Sequence, residues 1–353
     1  MRRVDISARA VLEGVGGIGF IPLPPRRHVP TKKSSEVTAV STTASTMSDE
    51  CRRYGGPWKE DVRALCAEYG LRNLAAMNVV ELAQLLNKEA ELERAELALA
   101  EIRRLAGVAP KPVNVLEALK AQQALPVVKT GVAEFDEKTP WGGLRRGLIY
   151  GIAGEFGTGK SMFAIQCSVK AAVENWRVVF IETEGALNLA LFERIAKRFG
   201  ADLTSLLDRL VVVQATDVLD VKEILLSLLK QPADLVVIDS FVSNALRAQF
   251  RGRERLAARQ QLLAYKMDIL RRMARVFGTA TILTDQVIDV PEAFAAKVKK
   301  PAGGNIYSQG SNALLMMYRY NKTKLEGHMV PIDVPGMAPN ITINYVIKDD
   351  GLY

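Results

Sequence analysis

Short apolar runs alternate with amphipathic stretches through most of the chain. Aliphatic and β-branched residues fill five such runs, at residues 148–152, 177–181, 210–213, 235–238 and 280–283. Runs that stay apolar at successive positions are typical of strands buried on both faces of a parallel sheet. Helical patterns lie between them, and further strand patterns follow at 314–318 and 341–347. The alternation predicts a doubly wound α/β domain with a mostly parallel sheet over residues 127–353.

Residues 57–107 follow a helical pattern instead. Apolar residues recur there every three or four positions, and strong helix formers dominate until Gly107 ends the run. This predicts a small all-helical domain, joined to the α/β domain by a proline-containing linker over residues 108–126. Residues 1–56 include a Ser/Thr-rich stretch with little apolar material to bury, so we predict a disordered tail. Met47 is a second candidate translation start.

Composition excludes several classes of protein. Of 353 residues, 48% are hydrophobic and 24% are charged, the balance of a globular protein of two or three domains. No run of about 18 apolar residues occurs, which argues against a membrane span, and the residues after Met1 form no signal-peptide pattern. The three cysteines, Cys51, Cys66 and Cys167, are too few and too scattered to indicate a disulfide framework or a zinc site. We therefore expect a protein of a reducing compartment, the cytoplasm or its equivalent.

The positive charge is concentrated in one segment. Residues 247–300 hold 12 lysines and arginines against 5 acidic residues, a net charge of +7 out of +8 for the whole chain. Such a concentration indicates an anionic partner, most commonly the polyphosphate backbone of a nucleic acid. Solvated basic helix faces are the alternative that charge alone leaves open.

One glycine-rich stretch matches the P-loop pattern G-x-x-x-x-G-K-[ST] at every fixed position, between a strand pattern and a helix pattern. Its residues are Gly154, Glu155, Phe156, Gly157, Thr158, Gly159, Lys160 and Ser161. In such a loop, glycines let backbone N–H groups surround a phosphate, and the following helix N-terminus adds a favourable dipole. Lys160 is expected to neutralise the β- and γ-phosphate oxygens of ATP, and the Ser161 hydroxyl to ligate Mg²⁺.

Polar residues at the ends of three other strands fit the rest of a hydrolytic site. Asp239 ends the fourth apolar run, where a P-loop protein places the aspartate that orients Mg²⁺. Glu184 follows the second run and is the candidate for orienting or deprotonating the attacking water, with Glu182 as a competing candidate. Gln286 follows the fifth run and is placed to sense the γ-phosphate, a simple strand-end cap being the alternative.

Further motifs accompany these residues. They are Gly154-Glu155-Phe156 at the start of the P-loop, Thr183-Glu184-Gly185, Lys300-Pro301-Ala302-Gly303-Gly304-Asn305, the pairs Thr130-Gly131 and Gly142-Gly143, and Arg253, Leu256, Ala258, Arg259 and Gln260. In this combination the chain resembles the RecA-type recombinases, most closely the branch of archaeal RadA and its eukaryotic counterparts. The resemblance extends from about residue 58 to the C-terminus and implies a RecA-like P-loop ATPase core.

The resemblance implies a DNA-dependent ATPase with ATP and Mg²⁺ as cofactors. Such a protein forms filaments on single-stranded DNA and exchanges strands with double-stranded DNA in homologous recombination and DNA repair. It associates with itself in a filament or ring, or with a related recombinase, has no membrane partner, and is cytoplasmic and nucleoid-associated. Lys160, Glu184 and Gln286 become the expected catalytic residues, and Asp333 the residue that caps ATP on the neighbouring subunit.

The resemblance also implies two DNA-binding loops, around residues 251–259 and over residues 288–303. The DNA-binding residues expected from it are Arg251, Arg253, Arg259, Phe294, Lys297, Lys299 and Lys300. Phe294 is the aromatic residue of the second loop, so we expect it to lie against a base, an apolar contact within the loop being the alternative.

The chain departs from the family pattern at four places. Residues 186–191 replace the adenine-packing run Thr-Phe-Arg-Pro-Glu-Arg, which leaves the adenine contact missing or supplied by Arg194. The Phe-x-x-Ala plug that joins subunits is absent at 112–115, the helix-hairpin-helix glycines are absent around 87–91, and the second loop is a few residues short. These departures keep a second hypothesis open: a recombinase paralogue that binds ATP and DNA and regulates or assists the main recombinase without exchanging strands itself.

Overall fold

The computed structural model describes residues 48–353 except Ala293, Phe294, Asn321, Lys322, Lys324 and Pro339. For Ala245, Arg253, residues 290–292 and residues 295–298 it describes the backbone alone. The predicted tail up to and including Met47 lies outside the described residues. In the described part of the chain, no helix is both long enough and apolar enough to cross a membrane.

A bundle of short helices forms the N-terminal domain. Its helices are α1 (Asp49–Arg52), α2 (Lys59–Tyr69), α3 (Leu71–Ala75), α4 (Val79–Leu85) and α5 (Leu92–Leu105). Cys51 and Tyr54 are buried in the core of this bundle together with Val62 and Leu74. The predicted boundary at residue 56 therefore lies too late, because α1 is only one turn long and too short to show a helical period.

Cys51 and Cys66 form a disulfide bond that ties α1 to α2, with their Cα atoms 5.7 Å apart. Cys167 is free and buried. This single bond is not a disulfide framework, and the cysteine spacing does not predict it, because separation along the chain does not show that α1 folds back onto α2. Because disulfides are rare in reducing compartments, cysteine usage does not support the expected reducing compartment.

The linker contains one helix, α6 (Val115–Gln123), that buries none of its residues. Asn114 caps its N-terminus by accepting a hydrogen bond from the Glu117 N–H at 2.8 Å. Val115 is 85% exposed, and Leu116 and Leu119 are exposed as well. The apolar side of this helix therefore faces solvent in the single chain.

One large sheet organises the C-terminal domain. Its strands are β3 (Ile149–Gly154), β4 (Val178–Glu182), β5 (Leu210–Gln214), β6 (Leu235–Asp239), β7 (Ala280–Glu292), β8 (Ala295–Pro301), β9 (Ala313–Arg319), β10 (Glu326–Asp333), β11 (Ile343–Lys348) and β12 (Gly351–Leu352), while β1 (Val127–Val128) and β2 (Leu144–Arg145) pair separately. The strand order is β12-β11-β10-β9-β3-β7-β6-β4-β5, with β8 paired to β7. Pairing is parallel from β9 to β5 and antiparallel from β9 to β12. The predicted α/β fold with a mostly parallel sheet is confirmed.

Helices cover both faces of the sheet. They are α7 (Ala133–Lys138), α8 (Lys160–Val173), α9 (Leu189–Arg198), α10 (Val218–Lys230), α11 (Asn244–Gln249), α12 (Leu256–Phe277) and α13 (Gly304–Gly310). Phe180 of β4 packs on the α8 and α9 side, with its ring 5.4 Å from that of Phe192, whereas the next residue, Ile181, joins the cluster on the α10 and α12 side. Strands that are apolar at every position are thus buried on both sides.

A β-hairpin occupies the position of the second predicted DNA-binding loop. β7 continues past Gln286, and β8 returns beside it in antiparallel register, with Ile288 opposite Lys300. The β-branched residues Val287, Ile288 and Val290 favour this extended backbone. The basic residues expected on a loop are therefore carried partly by a paired strand.

The helical domain is fixed to the α/β domain through α12. Arg272 of α12 forms a two-pronged ion pair with Glu81 of α4, at 2.8 and 2.9 Å, and the two side chains are only 11% and 12% exposed. The Tyr265 hydroxyl donates to the same carboxylate at 2.6 Å. Asn73 of α3 adds a hydrogen bond to the Lys230 carbonyl at 2.6 Å. Polar groups that are shielded from water thus determine how the two domains sit together.

We expect Arg272→Ala to lower the free energy of unfolding by about 3 kcal/mol, because it leaves the shielded Glu81 carboxylate without its cation. The measurement is urea denaturation, with limited proteolysis of the linker as a second readout. Arg271→Ala is the matched control, since the neighbouring Arg271 makes an exposed bond to the Gln309 carbonyl and its loss should cost within about 0.5 kcal/mol. Equal losses in the two variants would show that the ion pair does not hold the domains together.

Candidate nucleotide-binding site and adjoining basic edge

Four parallel strands bring polar groups to one edge of the sheet. β3 ends at Gly154, beside Gln286 of β7, and β4 ends at Glu182, beside Asp239 of β6. Because the carboxyl ends of parallel strands lie at the same edge, the segments that follow them meet there. The P-loop, Glu184, Asp239 and Gln286, which are far apart in sequence, therefore share one edge.

The P-loop has the backbone shape of a phosphate cradle. Gly157 and Gly159 have φ angles of 78° and 97°, which only glycine adopts without strain. Gly159 caps the start of α8, so the N-terminus of that helix opens into the loop. A side chain at Gly154 would place its Cβ 2.6 Å from the Met317 carbonyl oxygen, so the loop packs directly on β9. Backbone N–H groups and a helix dipole are thus arranged for an anion.

Lys160 supplies the cation of this cradle. Its side chain is buried, and its amine donates to the Glu155 carbonyl inside the loop at 2.7 Å. Burial lowers the pKa of Lys160, and the nearby carboxylates of Asp239, Asp285 and Glu155 act in the opposite direction. A shielded amine held among phosphate-binding N–H groups fits the triphosphate of a nucleotide.

Ser161 and Asp239 are the pair that fits a magnesium ion. The Thr284 hydroxyl donates to the Asp239 carboxylate, and both Thr284 and Ser161 act to lower the pKa of this carboxyl. Burial raises the pKa of Asp239. A hydroxyl and one carboxylate offer the hard oxygen ligands that Mg²⁺ prefers, and Mg²⁺ commonly takes its other ligands from phosphate and water. No group of three or more His, Cys, Asp and Glu side chains suited to a metal occurs among the described residues.

The two candidate glutamates have different environments. Glu182 is buried, and its Oε1 accepts the backbone N–H groups of Glu184 at 2.7 Å and Ala186 at 3.2 Å, so it shapes the turn after β4. Glu184 lies beyond that turn, where the Ser240 hydroxyl donates to Oε1 at 3.2 Å and the Asn244 amide donates to Oε2. Burial raises the pKa of Glu184. The arrangement favours Glu184 over Glu182 as the group that faces a water molecule.

Gln286 lies next to two charged residues that the motifs do not reveal. Its Oε1 accepts from Arg247 Nη2 of α11 at 3.2 Å. Asp285, fully buried, accepts the N–H groups of Gln286 at 3.0 Å and Gly303 at 2.7 Å, and burial raises the pKa of Asp285 to about 7. Asp285 thus joins the two ends of the β7–β8 hairpin. Its position one residue before Gln286 at a strand end is the signal that could have identified it.

Two predicted nucleotide-binding residues, Phe156 and Asp333, do not cover the P-loop of their own chain. Phe156 is 97% exposed. Asp333 is exposed near the end of β10 and pairs with Leu314, near the start of β9. The P-loop lies near the other end of β9, where Met317 pairs with Gly154. Asp333 is therefore away from the edge that carries the P-loop of the same chain.

The segment that replaces the adenine-packing run is a helix start. Asn188 caps α9 by accepting from the Leu191 N–H at 3.0 Å. Arg194, the candidate replacement for the family arginine, instead donates from Nε to the Asp349 carbonyl at 2.7 Å. In this conformation its guanidinium is held against the C-terminal strands.

The predicted DNA-binding residues of the first loop follow α11. Arg251 is exposed, just before the 3₁₀ turn Arg253–Arg255. Arg259 is partly buried near the start of α12, and its Nε has no hydrogen-bond partner among the described residues. The side chain of Arg253 lies outside the described part of the chain.

The basic residues of the second loop lie on β8. Lys299 forms an ion pair with the Glu155 carboxylate of the P-loop, so this strand reaches the nucleotide edge. Lys300 is exposed next to it. Phe294 is not among the described residues, and only the backbone of Lys297 is described.

A P-loop at the carboxyl edge of a parallel sheet, with an aspartate at the end of β6 and a glutamate just after β4 at the same edge, defines a RecA-like nucleotide-binding protein. The Rad51 family profile matches residues 121–353, and the chain belongs to that family. This confirms the resemblance seen in the sequence motifs.

Relatives of known name include recombination proteins from plants and an archaeon. The chain is 31% identical over 238 residues to the meiotic recombination protein DMC1 homolog of Lilium longiflorum, covering 63% of this chain and 68% of the relative. It is 30% identical over 240 residues to the DNA repair and recombination protein RadA of Ignicoccus hospitalis, covering 64% and 72%. It is 30% identical over 259 residues to the DMC1 homolog of Glycine max, covering 68% and 74%.

Proposed function

We propose that this protein is a DNA-dependent ATPase of the recombinase type that acts in homologous recombination and DNA repair. The observation that carries the proposal is the shared edge, where the second basic segment, strand β8, contacts the P-loop, and the first, residues 251–259, follows the helix α11 that contacts Gln286. Lys299 contacts the P-loop at Glu155, and Arg247 joins the base of the first segment to Gln286. A nucleotide and a DNA strand bound at this edge would act on the same side chains. Binding to chromosomal DNA would place the protein at the nucleoid.

ATP hydrolysis would proceed by attack of water on the γ-phosphorus. A bond forms between the water oxygen and phosphorus, the bond to the β–γ bridging oxygen breaks, and ADP and inorganic phosphate leave. Glu184 orients the water and accepts its proton, while Lys160 stabilises charge on the β- and γ-phosphate oxygens. Mg²⁺, held by Ser161 and Asp239, would supply further charge neutralisation. Gln286 contacts the γ-phosphate oxygens.

Self-association is the second part of the proposal. Phe156 is almost fully exposed at the nucleotide edge, and Asp333 lies away from it on the same chain. The apolar side of α6 is exposed in the linker. A neighbouring copy would cover these groups and bring its Asp333 to the nucleotide, in a filament or a ring.

Two observations keep the paralogue as a second candidate. Arg194 is bound to the Asp349 carbonyl, and the subunit plug expected of the family is absent from the linker, where the exposed helix α6 follows. A protein with this linker would bind ATP and DNA and act on a related recombinase.

Electron microscopy with ATP, Mg²⁺ and single-stranded DNA tests the proposal. Long helical filaments, together with strand exchange by the protein alone, are the expected result. Discrete particles that stimulate or restrain strand exchange by a separate recombinase would support the paralogue instead. Absence of any complex with DNA would overturn both.

A further inference from the structure

Helix α11 connects the catalytic edge to the first basic segment. It begins at Asn244, next to Glu184, and ends at Gln249, just before the turn that carries Arg253 and Arg255. Arg255 donates from Nη1 to the Gln249 carbonyl at 2.9 Å, so the basic turn is tied to the end of the helix. A short rigid element thus has one end at each site.

Both oxygens of the Glu184 carboxylate are engaged by the segment that leads into α11. Ser240 donates to Oε1 at 3.2 Å, and the Asn244 amide donates to Oε2. A carboxylate that accepts hydrogen bonds at both oxygens has less capacity to accept one from a water molecule, and these bonds oppose the rise in the pKa of Glu184 that burial causes. In this conformation Glu184 is therefore occupied by protein groups.

We propose that Asn244 is a positioning residue that restrains Glu184 until DNA binds and displaces α11. This inference rests on the function proposed above and explains how DNA controls ATP hydrolysis. DNA phosphates would compete with the Gln249 carbonyl for Arg255, since a charged phosphate oxygen is a stronger acceptor than a neutral carbonyl. Movement of α11 would withdraw the Asn244 amide and free Oε2 for the attacking water.

The contact of Arg247 with Gln286 gives α11 a second link to the nucleotide. Arg247 lies one turn after Asn244, and its guanidinium reaches the Gln286 side chain on β7. The same helix therefore touches the group that orients the water and the group that senses the γ-phosphate. A displacement of α11 would act on both together, as expected for a switch element.

Substitution Asn244→Ala tests the restraint. Alanine keeps the helix start and removes the amide donor. We expect the DNA-free kcat for ATP hydrolysis to rise about three- to tenfold, the factor carried by one hydrogen bond, with KM for ATP unchanged. The rate at saturating single-stranded DNA should stay at the wild-type value, so the stimulation by DNA shrinks by the same factor.

Two further variants separate positioning from a structural role. Asn244→Gln keeps an amide donor and should restore most of the dependence on DNA. In a Glu184→Gln background, Asn244→Ala should have no effect on the residual rate, because the contact it removes acts through Glu184. An unchanged or lower DNA-free rate in Asn244→Ala, or an equal rise with and without DNA, would overturn the inference.

The experiment also distinguishes this inference from the proposed function. If Glu184→Gln abolishes hydrolysis while Asn244→Ala behaves as the wild type, the ATPase assignment stands and the restraint is refuted. If Glu184→Gln hydrolyses ATP at the wild-type rate, the assignment of Glu184 itself is wrong.

Discussion

Glu184→Gln should bind ATP normally and lose hydrolysis by a factor of about 10² to 10⁴, the usual contribution of a positioned general base. Glutamine has the shape of glutamate and can still accept hydrogen bonds from Ser240, but it cannot take a proton from water. Nucleotide binding should survive, because the phosphate cradle is made by the P-loop backbone and Lys160. The measurements are equilibrium binding of a fluorescent ATP analogue and steady-state release of phosphate.

Two further variants, Lys160→Ala and Glu182→Gln, provide comparisons for this result. Lys160→Ala should abolish nucleotide binding or hydrolysis, because it removes the buried cation of the cradle. Glu182→Gln is the matched control among the two glutamates: its oxygen can still accept the N–H groups of Glu184 and Ala186, so hydrolysis should stay within a few-fold of wild type. If Glu182→Gln loses turnover and Glu184→Gln keeps it, the two roles are exchanged.

Replacing Arg253 and Arg259 together with alanine should weaken binding of single-stranded DNA and reduce the salt dependence of that binding by about one to two units of slope. Each arginine that neutralises a phosphate releases counterions, so its loss lowers both the affinity and the slope. ATP hydrolysis in the absence of DNA should change little, because neither residue belongs to the nucleotide cradle. The measurement is a DNA titration repeated across a series of salt concentrations.

A second double variant, which also removes two positive charges, is the control. Lys111→Ala with Lys120→Ala removes two exposed cations from the linker, outside the positively charged segment 247–300. This variant should keep the wild-type salt slope. An unchanged affinity and slope in the Arg253 and Arg259 variant would move the DNA site elsewhere and leave subunit contacts or pairing with acids such as Glu254 as the role of these arginines.

The structure brings the bases of the two basic segments together at the nucleotide edge. Arg247 of α11 binds Gln286, and the buried Asp285 accepts N–H groups from both ends of the β7–β8 hairpin. Sequence position does not reveal this, since residue 247 and residue 286 belong to different strand–helix units. It explains how one protein edge could respond to a nucleotide and a polyanion at once.

Local pattern determined a large part of this protein. Strands apolar at every position require burial on both faces, so the runs around Phe180 and Val237 predict a sheet between two helix layers. The P-loop follows from glycines that permit φ angles of 78° and 97°, followed by a lysine at a helix start. These features depend only on residues that are close together in sequence, so the sequence alone predicts them.

Tertiary structure alone decided the pairings between distant residues. The hydrogen bonds to the Glu184 carboxylate come from Ser240, just after β6, and from Asn244 at the start of α11, both distant from Glu184 in sequence. The bond between Cys51 and Cys66 depended on how a one-turn helix folds back, and no periodic signal records that. Docking of the helical domain likewise depended on Arg272 meeting Glu81 across 191 residues. Period and turn chemistry are local properties of the chain, whereas burial, charge pairing and hydrogen bonds across strands exist only once folding has brought their partners together.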